Sequence, residues 1–284
     1  MSLPEFMSQS GASWNLKLAA VQLLLSIGYL LLAAIARKLS GNFISVRRML
    51  SFLLGMGLFY ISWGSPLYFL AHVFFSLHMV QMSLLYFFAP PLLILGFSAE
   101  MLEWLWRYVP FHRAWRMLAH PAAVLALFNG LFILYHVPPV MDTVMTNEGL
   151  HIGYHVILQI ASLSVWWPVV SPVLSGRLQS RGRKRFVHAN SMILMPACIL
   201  LMFPFVHYDV FTNSYFQLKA IGLCFPQTVS LDSLLKFRPW SPAMDQGIGG
   251  AAMIILHKFS YMAAERMVLT GTEQTRGRSL MEVV

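Results

Sequence analysis

Seven of the ten histidines in this chain fall within or beside apolar segments long enough to cross a membrane. They are His72, His78, His136, His151, His155, His207 and His257. A side chain that can ionise or bind a metal is costly in hydrocarbon and usually serves a function there. His151 and His155 are four residues apart, so a helix places both imidazoles on one face, where they can share one ion. The pattern predicts a site for a transition metal.

The composition is that of a polytopic membrane protein. Of the 284 residues, 57% are hydrophobic and only 11% are charged, with a mean hydropathy of +0.64, unlike an average soluble domain. The net charge of +9 could suggest nucleic acid, but the basic residues stand in short runs between apolar segments, where they set membrane orientation. We therefore expect membrane lipid, and no nucleic acid, around this protein.

Seven apolar stretches approach the roughly 20 residues that a membrane-spanning helix needs. They cover residues 17–36, 49–64, 73–97, 120–140, 149–172, 187–208 and 246–269. We expect one all-α integral membrane domain over residues 1–284, a bundle of seven transmembrane helices. The first stretch lacks a preceding basic region and a small-residue cleavage site, so we expect it to be retained as a helix.

Turn and proline signals interrupt several of these stretches. The turn signal at residues 64–66 ends the second stretch, so residues 67–71 are expected to form an interfacial segment. Pro90-Pro91 lies inside the third stretch and Pro168 inside the fifth. Proline bends a membrane helix and is tolerated where neighbouring groups satisfy the freed carbonyls. We therefore predict single, bent helices at these positions.

The distribution of basic residues predicts the orientation of the chain. Most of the 20 lysines and arginines follow the first, third, fifth and seventh stretches, which places them on one side if the helices alternate. By the positive-inside rule that side is the cytoplasm, which gives an outer N-terminus and a cytoplasmic C-terminus. The longest outer segment, residues 209–245, is expected to hold a short interfacial helix around Val229 to Phe237.

In this topology, four helix ends bring imidazoles to the outer leaflet. His72 and His78 begin the third helix, His136 ends the fourth, His151 and His155 begin the fifth and His207 ends the sixth. His257 lies near mid-membrane, beside Lys258. An isolated histidine of this kind more often hydrogen-bonds between helices. The convergence of five of these six, His72, His78, His136, His151 and His155, on one leaflet favours a binding site instead.

Methionines near these histidines offer a second kind of ligand. Met82 follows His78 by one helical turn, and Met79 is adjacent to it. Thioether together with imidazole suits Cu(I) better than Mg²⁺, Ca²⁺ or Mn²⁺, which prefer oxygen. Because the chain has 18 methionines, each one is more often packing filler than a ligand. Both interpretations stay open for Met79 and Met82.

Other chemical motifs are absent from the sequence. Cys198 and Cys224 form no C-x-x-C pair, which argues against a thiol-based copper chaperone and a structural zinc site. The sequence has no P-loop, no dinucleotide-binding glycine turn and no hydrolase or metalloprotease motif. No nucleophile, base and orienting group fall into a recognisable arrangement. We therefore expect a protein that is not an enzyme, with two structural cysteines.

Five groups of residues recur in the order typical of one family. They are Phe75-Ser76-Leu77-His78-Met79-Val80-Gln81, Ala89-Pro90-Pro91-Leu92-Leu93, Tyr135-His136-Val137-Pro138-Pro139, His151-x-x-x-His155 with Trp166-Trp167-Pro168, and Ser241-Pro242 with Asp245-Gln246 and Gly249-Gly250. Over residues 49–265 the chain thereby resembles the CtaG family of caa-type cytochrome c oxidase assembly proteins. Two positions depart from it, since many relatives have histidine at Met82 and an acid at Tyr154. That acid could orient an imidazole, so we expect modest metal affinity.

The resemblance implies a multi-pass, seven-helix protein of the bacterial plasma membrane that matures a heme-copper oxidase of the respiratory chain. It implies copper as the metal, delivered to the buried copper centre of the oxidase. The partners implied are the catalytic subunit of cytochrome c oxidase and other copper-handling proteins. The positions that match the family's histidine motifs are His72, His78, His136, His151 and His155.

The sequence leads to the hypothesis of a membrane metallochaperone. Cu(I) is captured on the outer side by His72, His78, His136, His151 and His155, with help from Met79 or Met82. It then passes laterally to a docked oxidase subunit. The alternatives are a heme-binding protein, a metal or proton transporter, and a metal-free scaffold for the nascent oxidase.

Acidic residues near the outer mouth have two interpretations. Asp142, Glu148 and Asp245 could attract the cation or steady the loops. Asp245 could equally cap the seventh helix, and we favour that structural role. The neighbouring Gly249-Gly250 pair predicts close packing of this helix against others.

Overall fold

The computed structural model describes residues 14–41, 44–102, 120–173, 176–203, 205–224 and 240–281, without the side chains of residues 39, 40, 224 and 267–281. Within these ranges every regular element is helical. In chain order the helices are α1 Leu16–Ser40, α2 Val46–Gly64, α3 Pro66–Val73, α4 Phe75–Ser83, α5 Ala89–Gly96, α6 Pro121–Tyr135, α7 Pro138–Met145, α8 Glu148–Val170, α9 Ser180–Leu201, α10 Asp209–Thr212, α11 Ser214–Cys224 and α12 Pro242–Met281. The predicted all-α class is confirmed.

Three described segments are long and apolar enough to cross a membrane. They are Leu16–Lys38, Phe75–Gly96 and Glu148–Val170. Two bent helix pairs raise this number to as many as five: α2 with α3 at 52°, and α6 with α7 at 79°. Basic residues at the start of α9, and Gln246, His257 and Lys258 in α12, lower the hydropathy of those two helices. The count of seven spans therefore stays a prediction.

The chain breaks at two places within or beside predicted spans. Residues 67–71 belong to α3, a separate helix capped by Ser65, whose hydroxyl accepts from the N–H of Leu67 at 3.1 Å. The predicted stretch 120–140 is divided between two helices. Its first helix, α6, ends at Tyr135, and two prolines then open α7 in a new direction. His72 therefore lies on α3, and the prediction that it begins the third spanning helix is wrong.

The third stretch forms one continuous, bent helical segment over Phe75–Gly96, as predicted. A π-helical turn at Leu84–Phe88 joins α4 to α5. The two prolines in the first turn of α5 have no N–H to donate to the carbonyl of Tyr86. That oxygen accepts instead from the Ser162 hydroxyl and the Trp166 indole N–H of α8, at 2.7 Å and 2.9 Å. Side chains of α8 thus satisfy the carbonyl that the bend leaves free.

The sixth helix, α9, ends at Leu201, earlier than predicted. Gln246, in the first turn of α12, donates its amide N–H groups to the carbonyls of Leu201, Phe203 and Val206, at 3.0, 3.3 and 2.9 Å. A helix leaves its last carbonyls unbonded, and Gln246 supplies a donor to that of Leu201 and to two carbonyls of the segment that follows α9. The helix expected around Val229 to Phe237 lies outside the described residues.

Glycines let α12 approach its neighbours closely. A Cβ on Gly249 would lie 2.7 Å from Cδ1 of Phe75 in α4, and one on Gly250 would lie 3.1 Å from the carbonyl oxygen of Cys198 in α9. Only a residue without a side chain fits at these distances. The close packing predicted from the glycine pair is confirmed. Cys198 is a buried free thiol.

Candidate functional site

Three of the predicted histidines contact one another through their rings. His151 and His155 lie one turn apart in the first half of α8, with ring centroids 4.5 Å apart. His72 of α3 approaches His151 with a centroid distance of 5.2 Å. All three side chains are buried. The bend between α2 and α3 sets the direction in which α3 presents His72 to α8. We call these three residues the histidine trio.

Tyr135 joins the other two histidines to this trio. Its ring centroid lies 5.7 Å from that of His78, 5.2 Å from that of His136 and 5.5 Å from that of His155. His78 comes from α4 and stacks on Tyr135 at an interplanar angle of 20°, while His136 follows the last residue of α6. The five histidines thus occupy one buried region, which we call the histidine cluster: His72, His78, His136, His151 and His155.

Backbone carbonyls determine the tautomer of two cluster histidines. Nδ1 of His72 lies 2.8 Å from the carbonyl oxygen of Tyr68, and Nδ1 of His136 lies 2.7 Å from that of Phe132. A carbonyl can only accept, so Nδ1 carries the proton and Nε2 carries a lone pair. Within the described part of the chain, both Nε2 atoms are buried without a hydrogen-bond partner. Each ring therefore offers a buried electron pair.

The other rings are held differently. Nδ1 of His155 lies 2.5 Å from the hydroxyl oxygen of Tyr86, which can donate or accept. Among the described residues, Nε2 of His155 and both ring nitrogens of His78 are buried without a hydrogen-bond partner. Buried polar atoms of this kind are rare in native proteins and call for an explanation. A ligand that accepts electron pairs would provide one for each of these nitrogens that carries no proton.

Met79 and Met82 are both fully buried. Met79 faces α12, since a Cβ on Gly249 would lie 3.1 Å from its Cγ. Met82 lies one helical turn after His78 and shares its face of α4. Met82 is therefore the better placed of the two thioethers to meet a ligand bound at His78.

Asp245 caps a helix other than its own. Its carboxylate accepts from the backbone N–H groups of Phe75 and Ser76, at 2.7 Å and 3.3 Å, and from the Ser76 hydroxyl. These bonds close the N-terminus of α4, where a negative charge is favourable. The expected cap of the seventh helix is instead Ser241, whose hydroxyl accepts from a backbone N–H of α12 at 3.3 Å. Asp245 therefore caps a helix, as predicted, but that helix is α4 rather than α12.

The two other acidic residues occupy different surroundings. Asp142 of α7 accepts from the backbone N–H groups of Asp209 and Val210, at 3.2 Å and 3.0 Å. It thereby fixes the start of α10 to α7. Glu148, in the first turn of α8, is exposed. Of the three acids, Asp142 and Asp245 steady the structure around the cluster.

The two remaining predicted histidines have other surroundings. His207 is exposed between α9 and α10, so the prediction that it ends the sixth helix is wrong. His257 is buried on α12, with Nδ1 2.9 Å from the carbonyl oxygen of Met253 and Nε2 3.4 Å from the Ser191 hydroxyl of α9. His257 therefore links two helices through a hydrogen bond.

A comparison with protein-family models decides the family. The model described as cytochrome c oxidase caa3 assembly factor, Caa3_CtaG, matches residues 27–271, a range that contains the whole histidine cluster. The chain belongs to the Caa3_CtaG family. The resemblance found in the short motifs is thereby confirmed. No curated protein and no solved structure matches the chain.

Tyr154, one of the two positions at which the sequence is expected to depart from the family's motifs, makes a structural contact. Its hydroxyl donates to the carbonyl oxygen of Leu131 at 2.8 Å. Its ring centroid lies 5.4 Å from that of Tyr135. Tyr154 therefore ties α8 to α6 and supports the ring that contacts three cluster histidines.

In this Caa3_CtaG member, the described residues contain no group of three or more His, Cys, Asp or Glu side chains already arranged as a metal site. What they contain is a set of buried, neighbouring imidazoles. Neutral imidazole nitrogens can coordinate a transition-metal ion or accept a hydrogen bond. The cluster therefore offers buried nitrogen donors to a ligand that accepts electron pairs.

Sequence reasoning missed the aromatic residues around the cluster. They are Trp63, Tyr68, Tyr86 and Tyr135. Two signals were available, since Tyr135 directly precedes His136 and Trp63 directly precedes the turn at residues 64–66. Neither signal reveals that the rings meet, because that depends on the packing of helices distant in sequence.

Proposed function

We propose that this protein is an assembly factor for a heme-copper cytochrome c oxidase, and that it binds Cu(I) at the histidine cluster and delivers it to the buried copper centre of the catalytic subunit. Family membership supports the assembly role. The observation that carries the copper role concerns His72 and His136, whose Nδ1 protons are bonded to backbone carbonyls. Within the described residues, their Nε2 lone pairs are buried without a hydrogen-bond donor.

Cu(I) is the metal that best suits these side chains. Imidazole and thioether are neutral ligands of the kind that a soft, singly charged ion accepts, whereas Mg²⁺, Ca²⁺ and Mn²⁺ prefer oxygen. The trio, with centroid distances of 4.5 Å and 5.2 Å, is the most compact set of donors. His78 and Met82 on α4 supply further ligands. In this proposal the rings reorient modestly to direct their nitrogens at one ion.

Delivery follows from the same chemistry. A site of neutral ligands without a fixed carboxylate holds an ion less tightly than a charged one, so the ion can pass to a partner. The proposed partners are other copper-handling proteins that supply the ion and the oxidase catalytic subunit that receives it. The protein acts by binding and transfer rather than by catalysis.

We further propose seven spans in the plasma membrane of a bacterium, with an outer N-terminus and a cytoplasmic C-terminus. The five spans that the described helices allow, together with α9 and α12, make seven. The basic residues at the start of α9 then face the cytoplasm under the positive-inside rule. This orientation places the cluster toward the outer side, where the copper centre of the partner is loaded.

The copper proposal predicts that replacing the trio abolishes tight Cu(I) binding. The full chain in detergent is titrated anaerobically with Cu(I) against a chromophoric Cu(I) chelator, beside His72→Ala/His151→Ala/His155→Ala. Loss of three donors should weaken binding by more than about tenfold, or about 1.4 kcal/mol. His257→Ala is the matched control, because His257 is equally buried and makes the same bond to a carbonyl one turn earlier. Equal Cu(I) affinity in the parent and the folded triple variant would contradict the proposal.

The second candidate is a metal-free scaffold for the nascent oxidase. The observation that favours it is that no three or more side chains among the described residues are already arranged as a metal site. In that case the cluster serves only to pack α3, α4, α6 and α8 together. If the parent protein binds no Cu(I) in the titration, the result would favour the metal-free scaffold over the copper-binding function.

A further inference from the structure

The start of α9 concentrates positive charge without negative charge. The basic residues between the end of α8 and the second turn of α9 are Arg177, Arg181, Arg183, Lys184 and Arg185. The chain has no aspartate or glutamate from residue 149 to residue 208. Arg181, Lys184 and Arg185 are exposed, so their surroundings can solvate them. Arg183 is different, because only 4% of its surface is exposed.

Arg183 is a buried cation that the described residues leave without a counter-charge. Its Nε is buried and has no hydrogen-bond partner among them. A charge taken out of water is costly unless an opposite charge pairs with it, and arginine stays protonated in proteins. The buried guanidinium therefore calls for an anion.

Arg177, in the segment before α9, brings a second positive charge to the same place. Burial and the neighbouring charge of Arg183 both lower the pKa of the Arg177 guanidinium. The two groups thus lie close enough to repel each other. In addition, Gln179 precedes α9 without a side-chain bond to the first N–H groups of the helix, and unbonded N–H groups also favour negative charge. Every group at this place would be stabilised by one anion.

Glu265 of α12 is the acid that the helix register places opposite Arg183. The two helices run antiparallel, and His257 of α12 meets Ser191 of α9 at 3.4 Å. Glu265 lies eight residues after His257, and Arg183 lies eight residues before Ser191. Nevertheless, Oε1 of Glu265 and Nε of Arg183 are both buried without a partner among the described residues. These two atoms therefore do not pair in the structure.

The rest of α9 indicates where the anion comes from. Exposed apolar residues recur on one face of the helix at a spacing of seven, in two rows: Met192 with Ile199, and Ile193 with Leu200. This face is suited to the hydrocarbon of a membrane. A phospholipid beside it has its headgroup at the level of the basic start of α9, whereas a free phosphate ion would gain nothing from the apolar face.

We propose that Arg183 and Arg177 bind the phosphate group of an anionic phospholipid at the membrane interface. Guanidinium groups form paired, charge-assisted hydrogen bonds to phosphate oxygens, and basic pockets between membrane helices bind lipid headgroups. The exposed basic residues of the same turns attract anionic lipid to the site. The inference requires that α9 crosses the membrane and is independent of the copper function.

Lipid titration of the full chain in detergent tests the inference. The delipidated protein is mixed with phosphatidylglycerol, phosphatidylcholine or inorganic phosphate at an ionic strength of about 0.15 M, where exposed charges are screened. Native mass spectrometry measures the lipid-bound fraction, and thermal unfolding measures the stabilisation. We expect the parent to prefer phosphatidylglycerol to phosphatidylcholine. Arg183→Gln should weaken phosphatidylglycerol binding by at least about fivefold and abolish this preference.

Two variants and one control separate a binding role from a structural one. Arg183→Lys keeps the charge without the planar fork, so we expect intermediate binding, which reports on the site even if the glutamine variant does not fold. Arg181→Gln is the matched control, because it removes an exposed charge from the same helical turn and should change binding by less than about twofold. Glu265→Gln should leave phosphatidylglycerol binding unchanged or strengthen it, because it removes a negative charge.

Two results would overturn the inference. In the first, phosphatidylglycerol binding is the same in the parent and in folded Arg183 variants, while Glu265→Gln and Arg183→Gln lower the unfolding temperature equally. Arg183 and Glu265 would then be partners within the protein. In the second, inorganic phosphate stabilises the protein as much as phosphatidylglycerol, which would assign the two arginines to a free anion. Neither result bears on the binding of Cu(I).

Discussion

At the scale of single residues, the chemistry depends on which ring nitrogen carries a proton. The carbonyls of Tyr68 and Phe132 hold the Nδ1 protons of His72 and His136, so the outward nitrogen of each ring is an electron-pair donor. The same carbonyl bond occurs at His257, where Nε2 lies near the Ser191 hydroxyl. His257 therefore differs from the candidate ligands His72 and His136 in its Nε2, which has a hydrogen-bond partner.

Tyr135 and Tyr154 provide a residue-level prediction. Within the described residues the Tyr135 hydroxyl is buried without a hydrogen-bond partner, whereas that of Tyr154 donates to Leu131. Tyr135→Phe should therefore leave the free energy of unfolding unchanged or raise it, and Tyr154→Phe should lower it by about 1 kcal/mol. Thermal unfolding in detergent measures both. A Tyr135→Phe variant less stable than Tyr154→Phe would show that the Tyr135 hydroxyl has a partner, such as a water or an ion.

At the scale of helices, breaks and caps bring the cluster together. Alternating apolar stretches and proline signals predicted most helix positions, and the bend at the two prolines of α5 follows from their missing N–H groups. The division after His136 was not predicted, although Pro138-Pro139 signals it, and the cap that Asp245 supplies to α4 was not predictable. Asp245 bonds to residues about 170 positions earlier, and local sequence carries no signal of such a contact. The ring contacts of Trp63 and Tyr135 were unpredictable for the same reason, because they join residues that are distant in sequence.

The packing of α12 against α4 gives a prediction at this scale. A Cβ on Gly249 would lie 2.7 Å from Phe75 and 3.1 Å from Met79, whereas one on Gly247 would lie 3.9 Å from its nearest neighbour, the carbonyl oxygen of Met202. Gly249→Ala should lower the free energy of unfolding by about 1–3 kcal/mol through overpacking. Gly247→Ala should be neutral or stabilising, because alanine favours helix. Circular dichroism during thermal unfolding compares the two, and equal stability would contradict the close contact of α12 with α4.

At the scale of the whole molecule, apolar helices surround a buried cluster of imidazoles drawn from α3, α4, α6 and α8. The short motifs were sufficient to predict the Caa3_CtaG family, which the family match over residues 27–271 confirms. The composition predicted long apolar helices, and several described helices could cross a membrane. Motifs and composition together also predicted which five histidines would meet. They could not predict the arrangement of the rings, because that depends on how the helices tilt and break.

Copper transfer to the oxidase tests the central claim most directly. The purified protein is loaded with Cu(I) and mixed with membranes that contain the copper-depleted oxidase catalytic subunit, and the copper content and activity of the re-isolated oxidase are measured. Loaded parent protein should restore both, while the trio variant and unloaded parent protein should restore neither. Equal restoration of oxidase activity by the loaded parent and the folded trio variant would contradict delivery of copper from the histidine cluster.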